Sequence, residues 1–341
     1  MQFRSIVIEG GDQIGKGDIT QYLLKKFKKE KINFKKISFP IYSSPIGYVV
    51  RMILENGMPN IDGVNETIGT ERELEIRIVT YALNRLEALE SFLRRFKNKE
   101  VYCILDRSPF SVALTIAYGL GGMKSIKNRE VFDLVKLALS FEQPFINTFN
   151  IKDCIIHLMA EYDSKGWMKT RTDGDLYEKQ DIQEVADDVY DVISEVVGSG
   201  WIRIYTKRNG VFRDRKDIYK EVDKIVDSLG YKSTKTGERM IFDILEISED
   251  IYGVNILDCG DYKKYFRNIR LDDNAKNKET YSLAYKIGEF ISGNCEEVTF
   301  LNGEIKNNVR ELLDRYPEVF LLINHHLGEK FTQLFKNGIY D

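Results

Sequence analysis

The chain has 341 residues, 43% of them hydrophobic and 30% charged, with 50 Lys and Arg against 53 Asp and Glu. At about 100–200 residues per domain, this length suggests two domains, and the near-neutral balance gives no general reason to expect a nucleic-acid or membrane partner. Four scattered cysteines fit a reducing cytosol, no apolar run approaches the ~18 residues needed to span a bilayer, and the N-terminus enters a strand almost at once, so no signal peptide is expected and a secreted, fibrous or membrane class is not expected either.

In chain order, FRSIVIEG reads as a β-branched strand followed by a Gly-rich turn, and apolar residues recur at helical spacing among lysines from Ile19 to Lys31. FKKISFP at 34–40 reads as the next strand, ended by Pro40. A helix is predicted from Ile46 to Glu55, stopping at Gly57, and a longer amphipathic helix over 73–97. VYCILD at 101–106 is a near-continuous apolar strand, and segments 129–141, 153–160, 181–197, 201–205 and 214–229 continue the alternation. Strands apolar on both faces and separated by helices indicate an α/β fold with a mainly parallel sheet covered on both sides. A boundary falls at the polar stretch KSTKTGE, dividing residues 1–231 from 232–341. From residue 233 onward there are 14 basic and 19 acidic residues, against 36 and 34 before it. In this second part MIFDILEI and YGVNILD read as short strands, and 278–292 and 307–337 as helical, so a small α+β domain is expected.

The chemistry concentrates at the first turn. Gly10-Gly11-Asp12-Gln13-Ile14-Gly15-Lys16 follows a strand and opens a helix, the context in which G-x-x-x-x-G-K cradles phosphates. The glycines let backbone N–H groups turn inward, the helix N-terminus adds positive potential, and Lys16 reaches the β/γ-phosphates. Gly17 and Asp18 stand where hydroxyl residues are usual. A carboxylate aimed at the phosphates would repel them, whereas one pointing outward would not.

Further segments follow in order: Phe39-Pro40-Ile41-Tyr42-Ser43-Ser44-Pro45-Ile46-Gly47 with Val50-Arg51 and Leu54, then Tyr81-Ala82-Leu83-Asn84-Arg85-Leu86-Glu87, Asp106-Arg107-Ser108-Pro109-Phe110-Ser111, Tyr177-Glu178, and RIYTKRN at 203–209. Together with Glu9-Gly10-Gly11-Asp12 and the loop, this ordered set resembles thymidylate kinase, a nucleoside-monophosphate kinase of the P-loop class, over residues 1–230. The resemblance implies a P-loop kinase fold with a mainly parallel five-stranded sheet, with ATP and Mg²⁺ as cofactors and dTMP as acceptor. It assigns ATP contacts to Gly10, Gln13, Gly15, Lys16, Gly17, Asp18 and Arg208. The monophosphate side falls to Asp12, Phe39, Pro40, Arg51, Tyr81, Arg85, Arg107 and Ser111, with Arg51 and Arg107 on the phosphate, Arg85 on the pyrimidine and Tyr81 stacked on the base. Asp106 is the implied magnesium-side carboxylate.

Phosphoryl transfer needs charge compensation more than it needs a base. Position 13 is Gln rather than the arginine of one family group, so the resemblance places that charge in a mobile lid, with Lys165, Lys169 and Arg171 as candidates. Catalytic roles thus fall to Asp12, Lys16, Arg107, Lys169 and Arg171. Departures from the family pattern at Gly17, Asp18, Ser108, Thr115 and Leu176 leave open a nucleotide-binding regulatory protein with a degenerate kinase domain, and Asp106-Arg107-Ser108 also leans toward a deoxynucleoside kinase. The family further suggests a homodimer and small-molecule nucleotides as partners, while composition and cysteine usage point to no nucleic-acid or membrane partner and a cytoplasmic setting. The resemblance does not reach 232–341, which is expected to be an accessory domain that interacts with the kinase part or a partner.

Overall fold

The computed structural model describes residues 3–32, 34–42, 44–96, 101–122, 131–161, 176–208, 211–231, 240–241 and 303–340. Contacts divide the chain into two compact units, one of residues 1–39 and 98–241, the other of 40–97 and 242–341. This division runs along a different line from the polar stretch at 232–238.

The first unit is built on a sheet of strands β1 (Phe3–Gly10), β2 (Phe34–Ser38), β3 (Val101–Asp106), β4 (Ile155–Ala160), β5 (Trp201–Arg208), β6 (Val211–Phe212) and β7 (Met240–Ile241). Their order is β6-β5-β4-β1-β3-β2-β7. All pair in parallel except β6, which turns back antiparallel on β5. The expected five parallel strands are therefore present, and two-residue strands extend both edges to seven. Of these, β6 is too short to leave an apolar pattern in the sequence, whereas β7 falls at the start of the expected MIFDILEI strand.

Helices α1 (Lys16–Lys29), α4 (Val112–Gly122), α5 (Val131–Phe141), α6 (Gln143–Phe149), α7 (Gln180–Val197) and α8 (Arg215–Ser228) belong to this unit. Ile6, Ile8, Ile104, Ile156 and Leu158 bury one sheet face together with Ile19, Leu23 and Phe27 of α1 and Val222 and Val226 of α8. The helical spacing of those α1 residues among lysines is what sends one face inward and the other to water. β1 lies between β3 and β4, so the chain leaves it toward β2 on one side and enters β4 on the other. Crevices beyond the C-terminal ends of parallel strands at such a switch point are the usual ligand sites of open α/β sheets.

The second unit is helical among its described residues. It contains α2 (Pro45–Asn56), α3 (Glu71–Arg95), α9 (Gly303–Arg315), α10 (Glu318–Leu327) and α11 (Glu329–Tyr340). Ser44 caps α2 by accepting from the Gly47 N–H at 3.1 Å, and Pro45 follows it in the first turn, where a missing N–H costs nothing. Position 47 admits only glycine, because a Cβ there would lie 1.7 Å from the Ile41 carbonyl oxygen. The Asn84 amide closes this turn by accepting from the Ile41 N–H at 2.9 Å and donating to Ser44 Oγ at 2.9 Å. Ser44 Oγ in turn donates to Glu87 at 2.6 Å. The motif spacing from Ser44 to Glu87 is thus first a folding device that joins α2 to α3.

The single helical stretch expected over 307–337 is three helices. Pro317 and Gly328 interrupt it, Pro317 by lacking an N–H and Gly328 with a φ of 92° that favours glycine. Of the expected MIFDILEI strand, Met240–Ile241 forms β7, and the remainder lies outside the described residues. The predicted strand YGVNILD and helix 278–292 lie outside the described residues. Strand β2 ends at Ser38, two residues before the expected stop at Pro40.

Candidate functional site

The phosphate loop runs from the end of β1 into α1, as its sequence context requires. At Gly10 φ is 129°, and a Cβ would sit 2.3 Å from the Leu158 carbonyl oxygen of the neighbouring strand. Gln13 and Gly15 also have positive φ, 59° and 99°, and Gly15 caps α1 with no side-chain hydrogen bond to the helix end. The N-terminal N–H groups of α1 thus receive no bond from the cap side chain, the arrangement by which helix N-termini take up anions.

Three charged side chains meet at this loop. Lys16 Nζ donates to the Gly10 carbonyl at 3.0 Å and to the Gly11 carbonyl, and lies 3.6 Å from Asp12 Oδ1. Arg107 reaches Asp12 Oδ1 from the end of β3 through Nη2. Its backbone holds a left-handed φ of 69° and donates to the Ile8 carbonyl of β1 at 3.1 Å. Side chains other than Gly, Asn and Asp seldom adopt that conformation, and such strain collects at functional sites. Arg107 Nη1 is buried and has no hydrogen-bond partner.

Burial favours a neutral Asp12, but Arg107 and Lys16 outweigh it and hold the carboxyl below its ordinary range. For Lys16, burial and then the Arg107 charge lower the ammonium to about 8. Burial also opposes the Arg107 charge, yet Asp12 beside it holds the guanidinium firmly protonated. Groups perturbed both by desolvation and by a specific charge partner at strand ends make this loop a candidate functional site.

A second layer orients the first. Gln183, fully buried on α7, accepts from the Asp12 N–H at 2.7 Å and donates to Asp12 Oδ2 at 3.2 Å and to the Tyr177 carbonyl at 2.8 Å. Glu9 is fully buried and accepts from Ser108 at 2.6 Å, Ser111 at 2.7 Å and Tyr190 at 3.0 Å. Burial raises its carboxyl above the ordinary value, against these hydrogen bonds and the Arg107 charge. Ser108 thereby spends its hydroxyl on the Glu9 carboxylate. Sequence reasoning missed Gln183 as a site residue. The available signal was a polar side chain on the same helical face as Ile182, Ala186, Val189 and Ile193.

Asp18 does not face the loop's phosphate side unpaired. Its half-exposed carboxylate accepts from Arg215 at 2.9 Å, at the start of α8. Gly17 faces open space, with nothing within 4 Å of where a Cβ would stand. Asp106 is half-buried at the end of β3, and its carbonyl accepts from the Phe39 N–H at 2.9 Å. Phe39 is buried with its ring against Phe145, 5.4 Å between centroids, so it serves the core of this unit. Arg208 is exposed at the end of β5 with its guanidinium 4.6 Å from the Tyr205 ring centre. Lys165, Lys169 and Arg171 lie outside the described residues.

In the other unit, Pro40 is half-buried and Arg51 bonds Glu55 at 3.1 Å, with its guanidinium 5.6 Å from the Tyr42 ring centre. Tyr81 and Arg85 are both buried on α3. The structure therefore brings Asp12, Lys16 and Arg107 together, while Arg51, Tyr81 and Arg85 belong to the second unit.

Asp12 and Asp106 offer the hard oxygen ligands that magnesium takes, which commonly needs only one or two protein carboxylates beside phosphate oxygens. Among the described residues no group of three or more His, Cys, Asp or Glu side chains is arranged to hold a metal by itself. No described helix is long and apolar enough to cross a membrane. Cys103 and Cys154 are buried free thiols.

No protein-family model and no curated protein matches the chain. Among solved structures, thymidylate kinase from Candida albicans is similar at 17% identity with a TM-score of 0.48, over 71% of this chain and 99% of that one.

Proposed function

We propose that this protein transfers the γ-phosphoryl group of ATP to a deoxynucleoside monophosphate, with dTMP as the preferred acceptor. The observation that carries the reading is the convergence of Lys16, Asp12 and Arg107 at a strand–loop–helix turn with left-handed residues at Gln13 and Gly15. The ordered motif set over residues 1–230 supplies the choice of acceptor.

In this reading the loop N–H groups and Lys16 hold the β- and γ-phosphates, and Arg107 turns Nη1 to the acceptor phosphate. A phosphate oxygen of the acceptor attacks the γ-phosphorus while the bond to the β,γ-bridging oxygen breaks, giving ADP and the nucleoside diphosphate. The attacking oxygen is already ionised, so no general base is needed. Asp12, held on two sides by Gln183, accepts from the sugar 3′-hydroxyl or orients the phosphates. Asp106 would help hold magnesium, which when bound would supply charge compensation for the ATP phosphates. Arg51, Arg85 and Tyr81 are assigned to the monophosphate, the pyrimidine and the base stack, Arg208 to the ATP side, and Lys165, Lys169 and Arg171 to charge compensation on the transferring group.

The Asp18–Arg215 pair supports a working kinase over a binding-only protein, since it engages the carboxylate whose repulsion of phosphate motivated that alternative. The test is a coupled assay of ADP formation with ATP, magnesium and a panel of nucleoside monophosphates and nucleosides. The expected result is turnover with dTMP above all other acceptors. Turnover with thymidine alone would move the activity to a nucleoside kinase, and nucleotide binding with no turnover would identify a regulatory protein.

A further inference from the structure

The helices α9–α11 lie more than 200 residues after α2 and α3 in the chain but in the same compact unit. One side chain, Arg72 in the first turn of α3, gathers the junction between α9 and α10. Its Nε and Nη2 donate to the two carboxylate oxygens of Glu318 at 2.7 and 2.8 Å. Nη2 also donates to the Arg315 carbonyl at 2.7 Å, satisfying one of the last acceptors of α9. The guanidinium lies 4.4 Å from the ring centre of Tyr316, which is fully buried. A planar fork that binds a carboxylate at both oxygens and stacks on an aromatic face is a use of arginine that lysine cannot reproduce.

The same C-terminal helices reach α2. His326 of α10 sits edge-on to Tyr48, 6.4 Å between ring centroids, one helical turn before Arg51. Leu321 of α10 packs over Gly63 in the segment joining α2 to α3. A buried link completes the path, since Arg77 of α3 donates to the Ile53 carbonyl of α2 at 3.1 Å. The elements that carry Arg51 and Arg85 are therefore fastened to each other and to the end of the chain.

We propose that α9–α11 form a latch that sets the position of Arg51 and Arg85, with Arg72 and Glu318 as its positioning residues. The inference rests on the reading of those two arginines as monophosphate contacts. It gives the C-terminal region a role in the reaction. Weakening the latch loosens the acceptor side and leaves the phosphate loop, in the other unit, as it was.

The experiment compares the full-length chain with Glu318→Gln, Arg72→Lys and Arg72→Ala. Steady-state kinetics give KM for dTMP, KM for ATP and kcat, and amide hydrogen exchange is followed in residues 45–56. Glu318→Gln keeps a hydrogen-bond acceptor and so preserves folding while removing the charge. The expected result is a KM for dTMP raised about fivefold or more, with kcat and the KM for ATP little changed and faster exchange in α2. Arg72→Lys is expected to fall between wild type and Arg72→Ala. Faster exchange or a lower melting temperature with an unchanged KM for dTMP would overturn the proposal and leave the helices a purely stabilising role. Unchanged exchange in all three variants, beside normal wild-type turnover, would overturn it as well. A wild-type chain that phosphorylates no monophosphate would instead overturn the reading of Arg51 and Arg85, and the inference with it.

Discussion

Two clusters of buried charge, one in each compact unit, are built differently. Around the phosphate loop, Asp12, Lys16, Arg107 and Glu9 come from the loop, the end of β1 and the turn after β3, and they are cross-bonded to Gln183 and Tyr190 on α7. In the helical unit, fully buried Arg77 finds Glu73 at 2.8 Å one turn away on its own helix and spends a further N–H on Ile53. The first arrangement joins groups far apart in sequence and keeps a buried N–H unpartnered at Arg107. The second is local and closed, since Glu73 also accepts from the Gly69 N–H at 2.8 Å. Convergence of distant charges with donor capacity left over is what a ligand site needs, whereas a closed local pair fixes a helix in place.

If that contrast is right, the largest effect on stability comes from the closed pair. Arg77→Ala leaves the Glu73 carboxylate buried without its cation, and the expected loss is about 3–5 kcal/mol in urea unfolding. A loss below about 1 kcal/mol would show that water reaches the pair and that the two kinds of burial do not differ.

The phosphate loop is expected to respond to pH through Lys16, whose ammonium is lowered to about 8. Phosphates bind the charged form, so ATP affinity falls above pH 8, by at most about tenfold per unit. The fold responds with the opposite sign. Between about 8 and the ordinary lysine range the unfolded chain holds this proton more firmly than the folded one, so the contribution of Lys16 to stability rises with pH. Calorimetric titration of ATP across this range, beside thermal unfolding at the same pH values, separates the two trends, and a flat binding profile would remove Lys16 from the site.

The smallest effect is expected at Asp18. Its pair with Arg215 is exposed on both sides, so Asp18→Ala changes unfolding free energy by about 0–1 kcal/mol. ATP binding is expected to stay within about threefold, because such surface pairs contribute little. A gain in affinity well beyond that would mean the carboxylate does face the phosphates.

The parts of this arrangement that are local were legible in the sequence. A β-branched run, a glycine loop and a lysine-rich amphipathic stretch define 3–29 without reference to the rest of the chain. The meeting of Arg107 with Asp12 depends on β3 lying beside β1, a neighbour relation that only the ordered motifs pointed to. The partners of Glu9 and the clamp of Gln183 on Asp12 depend on strand register and on how α7 is rotated against the sheet, and periodicity carries neither. Pro317 and Gly328 were visible as interruptions in the run 307–337, yet the apolar spacing continues across them and hides the breaks. Nothing in the residues flanking Arg72 marks it as the partner of Glu318, because the contact joins positions 246 residues apart.

The most direct measurement follows the label from γ-³²P ATP into nucleoside diphosphate, with dTMP as acceptor and Lys16→Met as control. Wild type is expected to give labelled dTDP and stoichiometric ADP, with the rate in Lys16→Met lower by about 100- to 1000-fold. ADP released with the label appearing only as inorganic phosphate, or equal rates in the two proteins, would contradict phosphoryl transfer at this loop.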